Sequence, residues 1–327
     1  MNLTKVIYIS LLAHLQLYSK TSLGFQYNSY RFMCTRKGKL DGFCENRSTQ
    51  NCPFLPRRYW CGEGASGRIL GKMQAEHPES TFFTNRFNDQ WSKLLQKIGG
   101  ILFIGDSIHS HLAFSLMCSL RDFSNKRKYS FTKIFPYTAK SGGKLYNRVT
   151  RKYFCMKTHQ SKLICYHRTN VADDVLERYD FYLKLFSDFG VVVMNFGLHN
   201  KQLNTDPIAK LLPRLSKDLS KHKTILIWRE TAPQHFDNLG GIFSEDTLGH
   251  ECRDISEASE DLSNQFNLNY NPICEKENIT IMKIWNMTKN YFDAHVQGEC
   301  THYCQPGIPE LWVGVLKEEL EPLTKIV

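Results

Sequence analysis

None of the eleven cysteines of this 327-residue chain forms a Cys-x-x-Cys pair, and the first four, Cys34, Cys44, Cys52 and Cys61, are spaced too widely for tetrahedral zinc ligation. A zinc-bound fold is therefore a poor reading, and the cysteines point to disulfides instead. Beyond the first stretch no apolar run approaches the roughly 20 residues that a membrane-spanning helix needs. Internal repeats and low-complexity tracts are also lacking, which excludes solenoid architectures. Basic residues outnumber acidic ones, 42 to 32, for a net charge of +10. They are scattered, however, with only short clusters such as Lys126-Arg127-Lys128 and no zinc-finger or helix-turn-helix pattern. That argues against nucleic acid and for an anionic surrounding such as acidic glycan or a membrane surface.

What is present is ample for a core, since 42% of residues are hydrophobic and 13% aromatic. Residues 1–24 follow signal-peptide grammar: Lys5, an apolar stretch from Val6 to about Leu17, then small and polar residues. An uncleaved N-terminal anchor is the alternative, and the sole route by which a membrane would be a partner. Sequons at Asn46, Asn278 and Asn286 and the cysteine usage agree with passage through the secretory pathway, to the Golgi lumen or outside the cell. An odd cysteine count leaves at least one thiol outside any internal pair.

Chemistry concentrates in two distant stretches. Ile101–Leu120, ILFIGDSIHSHLAFSLMCSL, reads as strand, tight turn and helix, with Gly105 at the turn and Ser107 at the helix start. Unpaired N–H groups and the positive end of the helix dipole can stabilise an oxyanion there, so Ser107 is a candidate nucleophile with its own N–H as an oxyanion-hole donor. The competing reading makes Ser107 a helix N-cap. The other stretch is Glu299–Trp312, ECTHYCQPGIPELW, where an acid precedes a histidine by three residues. A nucleophilic serine needs an imidazole to take its proton and a carboxylate to fix the imidazole tautomer, so Ser107, His302 and Glu299 form a candidate triad. The bland alternative leaves Glu299 and His302 as surface residues beside two structural cysteines.

In chain order, residues 25–95 form an expected cysteine-rich N-terminal lobe, loop-rich up to about Ser80, with a helix from about Asn85 to Ile98 leading into the Ile101 strand. Residues 96–327 form the expected catalytic domain. Gly190–Phe196 is a buried β-branched strand preceded by a helix over Ala172–Asp188; Asp206–His222 is a helix that Pro213 can kink. Thr224–Trp228 and Ile279–Trp285 are further strands, Pro309–Leu320 is a closing helix, and Cys155 with Cys165 marks a disulfide-closed hairpin. Such alternation implies an α/β fold, a parallel sheet with helices on both faces and active residues at the carboxyl ends of the strands. Asn195 sits at such an end, as does Ser107, and by itself reads equally well as a strand-end turn residue. His109, His111 and His199 belong near the same cleft, and Asp106 fixes the turn.

Taken together these residues resemble the trichome-birefringence-like family and its wider PC-esterase group, within the Gly-Asp-Ser serine hydrolases of SGNH-hydrolase type. The matching blocks are Asn51–Cys61 (NCPFLPRRYWC), Arg86-Phe87-Asn88, Ile104–Leu120, Arg229–Phe236 (RETAPQHF) and Glu299–Trp312, in the family's order. The resemblance implies a secretory-pathway O-acetyltransferase acting on polysaccharide or glycan hydroxyls, with no bound cofactor or metal and with acetyl-CoA or another acetyl carrier as donor. It carries the family's catalytic serine, acid and histidine onto Ser107, Glu299 and His302, and the likeness of MNFGLHN to the family's asparagine segment makes Asn195 a second oxyanion-hole candidate. The departure is Glu299, where the family has aspartate. An acyl esterase with the same triad and a non-catalytic glycan-binding relative are the rivals. The expected disulfides are Cys61–Cys304, Cys52–Cys118, Cys252–Cys300, Cys155–Cys165 and Cys34–Cys44, leaving Cys274 free.

Overall fold

A computed structural model describes residues 35–36, 39–40, 59–80, 87–120, 153–158, 162–199, 204–238, 240–243, 251–255 and 262–324. Residues 1–24, the sequon at Asn46 and the cysteines Cys34, Cys44 and Cys52 lie outside them, as does most of the expected lobe before Tyr59.

Six strands build one sheet: β1 (Gly100–Gly105), β2 (Tyr153–Lys157), β3 (Leu163–Arg168), β4 (Val191–Asn195), β5 (Ile225–Arg229) and β6 (Thr280–Met282). Their order is β2-β3-β1-β4-β5-β6. All neighbouring pairs are parallel except β2 with β3, where Cys155 faces Cys165 across an antiparallel edge hairpin and the two form a disulfide. The sheet is thus parallel, as expected, apart from the edge hairpin that Cys155 and Cys165 mark. A short hairpin connection reverses the chain, whereas a parallel pairing needs a long crossover.

Continuous apolar runs make the strands buried on both faces, and their period of two sorts side chains between two cores. Ile101, Phe103, Val191, Val193 and Ile227 point to one face, covered by α1 (Gly62–Glu76), α2 (Phe87–Ile98), α3 (Ser107–Ser119) and α9 (Ile308–Leu323). Leu102, Ile104, Val192, Met194 and Trp228 point to the other, covered by α4 (Ala172–Leu176), α5 (Tyr179–Phe186), α6 (Asp206–Ser220) and α7 (Leu262–Lys276). The described part of residues 25–95 contributes Ile69, Leu70, Met73 and Trp91 to the first core, so α1 and α2 pack with the rest of the chain.

The single helix expected over Ala172–Asp188 is two, because Arg178 adopts φ −125°, ψ 36° and breaks the turn so that Tyr179 and Tyr182 both reach the core. In α6, Pro213 does not end the helix, since Ile208, Leu211, Leu212, Leu215 and Leu219 all remain at or below 1% exposure.

The junction between α2 and the sheet is unusually close. A Cβ on Gly190 would lie 1.5 Å from the carbonyl oxygen of Ile98, a backbone atom that cannot swing aside. Gly190→Ala is therefore expected to lower the urea midpoint, with a loss at or above the upper end of the roughly 1–3 kcal/mol usual for overpacking. An unchanged midpoint would show that α2 can shift off the sheet at no cost.

Candidate active site

Strand β1 ends at Gly105, and the chain turns at once into α3. Glycine is required there by proximity, because a Cβ would stand 2.6 Å from the Asn195 carbonyl oxygen and 2.9 Å from the His109 Cβ. Asp106 is the N-cap: its Oδ1 accepts the His109 backbone N–H at 3.0 Å. Ser107 is consequently the first helical residue rather than the cap, and its half-buried side chain is left for other partners.

That partner is His302. Its Nε2 lies 2.8 Å from Ser107 Oγ, and its Nδ1 lies 2.6 and 2.9 Å from the two carboxylate oxygens of Glu299. The His302 backbone N–H donates to Glu299 Oε1 as well, at 3.2 Å. With the carboxylate accepting a hydrogen bond from the Nδ1–H, it is the Nε2 lone pair that faces the serine hydroxyl. Residues separated by 195 positions thus form one hydrogen-bonded line.

The segment carrying His302 is braced from several sides. Disulfides Cys252–Cys300 and Cys61–Cys304 anchor it two residues before and two residues after the imidazole. Gln305 donates its backbone N–H to the Tyr59 carbonyl at 2.8 Å, and the Tyr59 ring stacks on His302 with centroids 5.0 Å apart. Sequence reasoning did not single out Tyr59, although it lies in the NCPFLPRRYWC block next to a cysteine expected to reach Cys304. Cys118 is disulfide-bonded too, and its expected partner Cys52 lies outside the described residues. Cys274 is a free, buried thiol whose deprotonation burial pushes up to about 12.

A second brace is polar. Ser115 on α3 donates to Glu310 Oε1 at 2.7 Å and accepts from Gln305 Nε2 at 2.6 Å, while Gln305 Nε2 also donates to the His111 carbonyl. Glu310 Oε2 accepts the Gly307 N–H, capping α9. Burial raises the Glu310 carboxyl to about 7, against the pull of these hydrogen bonds. Its folded value therefore exceeds the unfolded one, so the stability it contributes is full below about pH 4.5 and is lost as pH rises through about 7. Subtracting Glu310→Gln from wild type in urea unfolding across that window should isolate this slope. A difference independent of pH would contradict it.

The expected second oxyanion donor, Asn195, is corrected by the structure. Both protons of its side-chain amide are committed, to the Arg229 carbonyl at 2.8 Å and to Thr231 Oγ1 at 3.2 Å, and its oxygen accepts the Gly197 N–H. Fully buried, Asn195 ties the ends of β4 and β5 together. His109 is likewise buried beneath the turn: its Nε2 donates to the Val193 carbonyl at 3.0 Å, and its Nδ1 accepts from Arg229 Nε at 2.9 Å. Burial and the Arg229 charge hold it neutral, well below the usual histidine range. His111 lies beside the His302 imidazole, ring centroids 5.2 Å apart, whereas His199 is exposed. Asp293, a conceivable substitute acid, is 57% exposed and sits 3.6 Å from Lys72 Nζ. The sequon residues Asn278 and Asn286 are both exposed.

Among the described residues no cluster of three or more His, Cys, Asp or Glu side chains could hold a metal ion, and no helix is long and apolar enough to cross a membrane.

No family model matches the chain. Among curated proteins it is similar to Protein trichome birefringence-like 6 of Arabidopsis thaliana, 23% identical over an alignment of 321 positions that covers 80% of this chain. It spans 64% of the length of that relative. Among solved structures it is similar to a protein named as a GDSL-like lipase from Parabacteroides merdae, 15% identical, with 67% of this chain and 94% of the other covered. The TM-score of 0.38 is too low for that likeness to carry an argument. In this chain the Gly-Asp-Ser turn and the acid-x-x-His segment are brought into contact by the fold.

Proposed function

We propose that the protein is a serine-dependent O-acyltransferase, with acetyl as the acyl group and glycan hydroxyls as acceptors. The observation that carries this reading is the line Ser107 Oγ, His302 Nε2, His302 Nδ1, Glu299 carboxylate, with contacts of 2.8 and 2.6 Å. In the first half-reaction Ser107 Oγ attacks the acyl carbonyl of the donor while His302 Nε2 takes the hydroxyl proton. Glu299 accepts the Nδ1 hydrogen bond throughout and stabilises the imidazolium. His302 returns its proton to the departing donor group, which leaves the acyl ester on Ser107. In the second half an acceptor hydroxyl gives its proton to His302 and attacks that ester, and Ser107 recovers its proton as the new ester leaves. The N–H of Ser107, in the first turn of α3, is the oxyanion donor this scheme uses.

The acceptor class rests on the family resemblance and accords with the positive net charge. Secretory-pathway residence rests on the disulfides and on the similarity to the trichome birefringence-like relative. Incubating pure protein with acetyl-CoA or an aryl acetate, with and without a glycan panel, is the test. Acetylated glycan and acceptor-dependent consumption of donor are expected. Donor consumption by water alone would assign the same triad to an esterase, and no consumption under any condition would contradict the catalytic reading.

A further inference from the structure

Behind the catalytic imidazole two more histidines meet. His235, at the exit of β5 in the RETAPQHF block, and His295, seven residues before His302, are both buried, and His235 Nδ1 lies 2.6 Å from His295 Nε2. Their outer nitrogens each face a backbone carbonyl: His235 Nε2 is 2.9 Å from Lys289 O, and His295 Nδ1 is 3.2 Å from His302 O. A carbonyl can only accept, so each outer contact requires a proton on the ring. The contact between the rings requires one more. Two neutral imidazoles carry two ring protons for these three contacts, and a third proton would satisfy all of them.

We propose that His235 and His295 are positioning residues that bind one additional proton as a shared imidazole–imidazolium pair, and that this proton completes the hold on the backbone carbonyl of His302. Near neutral pH one contact is left as two facing lone pairs. The 2.6 Å separation between the rings needs its proton most, and the Lys289 contact is the shorter of the outer two. His295 Nδ1 is therefore the bare nitrogen, and among the described residues the His302 carbonyl is then held by the Val296 N–H alone, at 2.9 Å. Acidification places the third proton on His295 Nδ1 and adds a second hydrogen bond to the catalytic segment.

The surroundings set where this happens. Burial opposes the charge on both rings, holding His235 down at about 4 and His295 well below the usual histidine range. Asp254 and Asp293 favour the charge on His235; His302, once protonated, opposes it on His295. Tyr303 stacks on His295 at 4.2 Å but spends its hydroxyl on the Pro233 carbonyl, and Arg253 contributes its backbone N–H to the His235 carbonyl while its side chain turns to Asp237. No cation is thus directed at the pair from Arg253, and proton uptake falls on the acid side of neutral.

The role as a positioning pair rests on His302 being the catalytic base, but the proton count does not. Histidine-selective nitrogen-15 labelling of the full chain, read by NMR as pH is lowered, should show two ring N–H protons from these residues at neutral pH, one of them strongly deshielded in an N–H···N bond. A third should appear on acidification, at His295 Nδ1. The signals are assigned by their loss in His235→Gln and His295→Gln; should either variant fail to fold, the wild-type count still decides. Protons on both outer nitrogens with no N–H···N signal at any pH where the protein is folded would overturn the proposal. In activity assays, His295→Gln should lower kcat, by up to roughly 10²-fold, the scale of a misplaced catalytic group, with KM unchanged and the pH profile altered. A raised KM at constant kcat and an unaltered profile would also overturn it. An inactive wild type with the deshielded proton present would instead count against the acyltransferase reading.

Discussion

Replacing Ser107 by alanine is expected to lower turnover by roughly 10³- to 10⁶-fold, the range seen when a triad serine is removed, while leaving the fold intact. The hydroxyl hydrogen-bonds His302 Nε2 at 2.8 Å, and the helix start does not depend on it, because Asp106 supplies the cap. Alanine is a favourable residue inside the first turn of a helix. Circular dichroism and the urea midpoint should therefore stay near wild type while kcat collapses. Activity close to normal would remove Ser107 from the mechanism, and a collapse of stability together with activity would show that the turn depends on this hydroxyl.

Glu299→Gln is expected to cost about 10⁴-fold in turnover if the carboxylate acts as the acid of a serine-protease triad does. The glutamate reaches His302 Nδ1 with both oxygens and holds the His302 backbone N–H as well. A glutamine keeps that shape, but its amide can donate to Nδ1, moving the ring proton to Nε2 and removing the base that Ser107 needs. It also leaves the imidazolium of the transition state without its counter-charge. Glu299→Asp, which restores the family's residue, should be milder, since it keeps the charge and loses one methylene of reach. A fully active Glu299→Gln beside inactive Ser107→Ala and His302→Ala would mean a Ser-His dyad, because Asp293, the nearby acid in sequence, pairs with Lys72 on the surface.

Much of this arrangement was legible in the chain because its signals are local and chemically narrow. An apolar strand ending in Gly-Asp-Ser, a β-branched run at Gly190–Phe196 and an acid three residues before a histidine each carry meaning without knowledge of the fold. What escaped depends on contacts between distant segments. Asn195 has the position of a strand-end active residue, yet the Arg229 carbonyl and Thr231 claim its amide, and no pattern in VVVMNFG announces that. Tyr59 gains its place against His302 through a disulfide spanning 243 residues. Helix α1 was hidden by four glycines within GEGASGRILGKMQAE, which weaken intrinsic propensity, whereas burial of Ile69, Leu70 and Met73 against α9 and its neighbours stabilises it. The reversal of β2 against β3 was visible only as a pair of cysteines flanking polar residues.

The most direct measurement is the mass of the protein after brief exposure to an acetyl donor and quenching in acid, followed by peptide mapping. The account predicts an increase of one acetyl group, located on the peptide containing Ser107, absent in Ser107→Ala, and discharged when acceptor glycan is added before the quench. Acetylation elsewhere at the same rate in wild type and Ser107→Ala, or donor turnover with no modification of Ser107 under any quench, would contradict it.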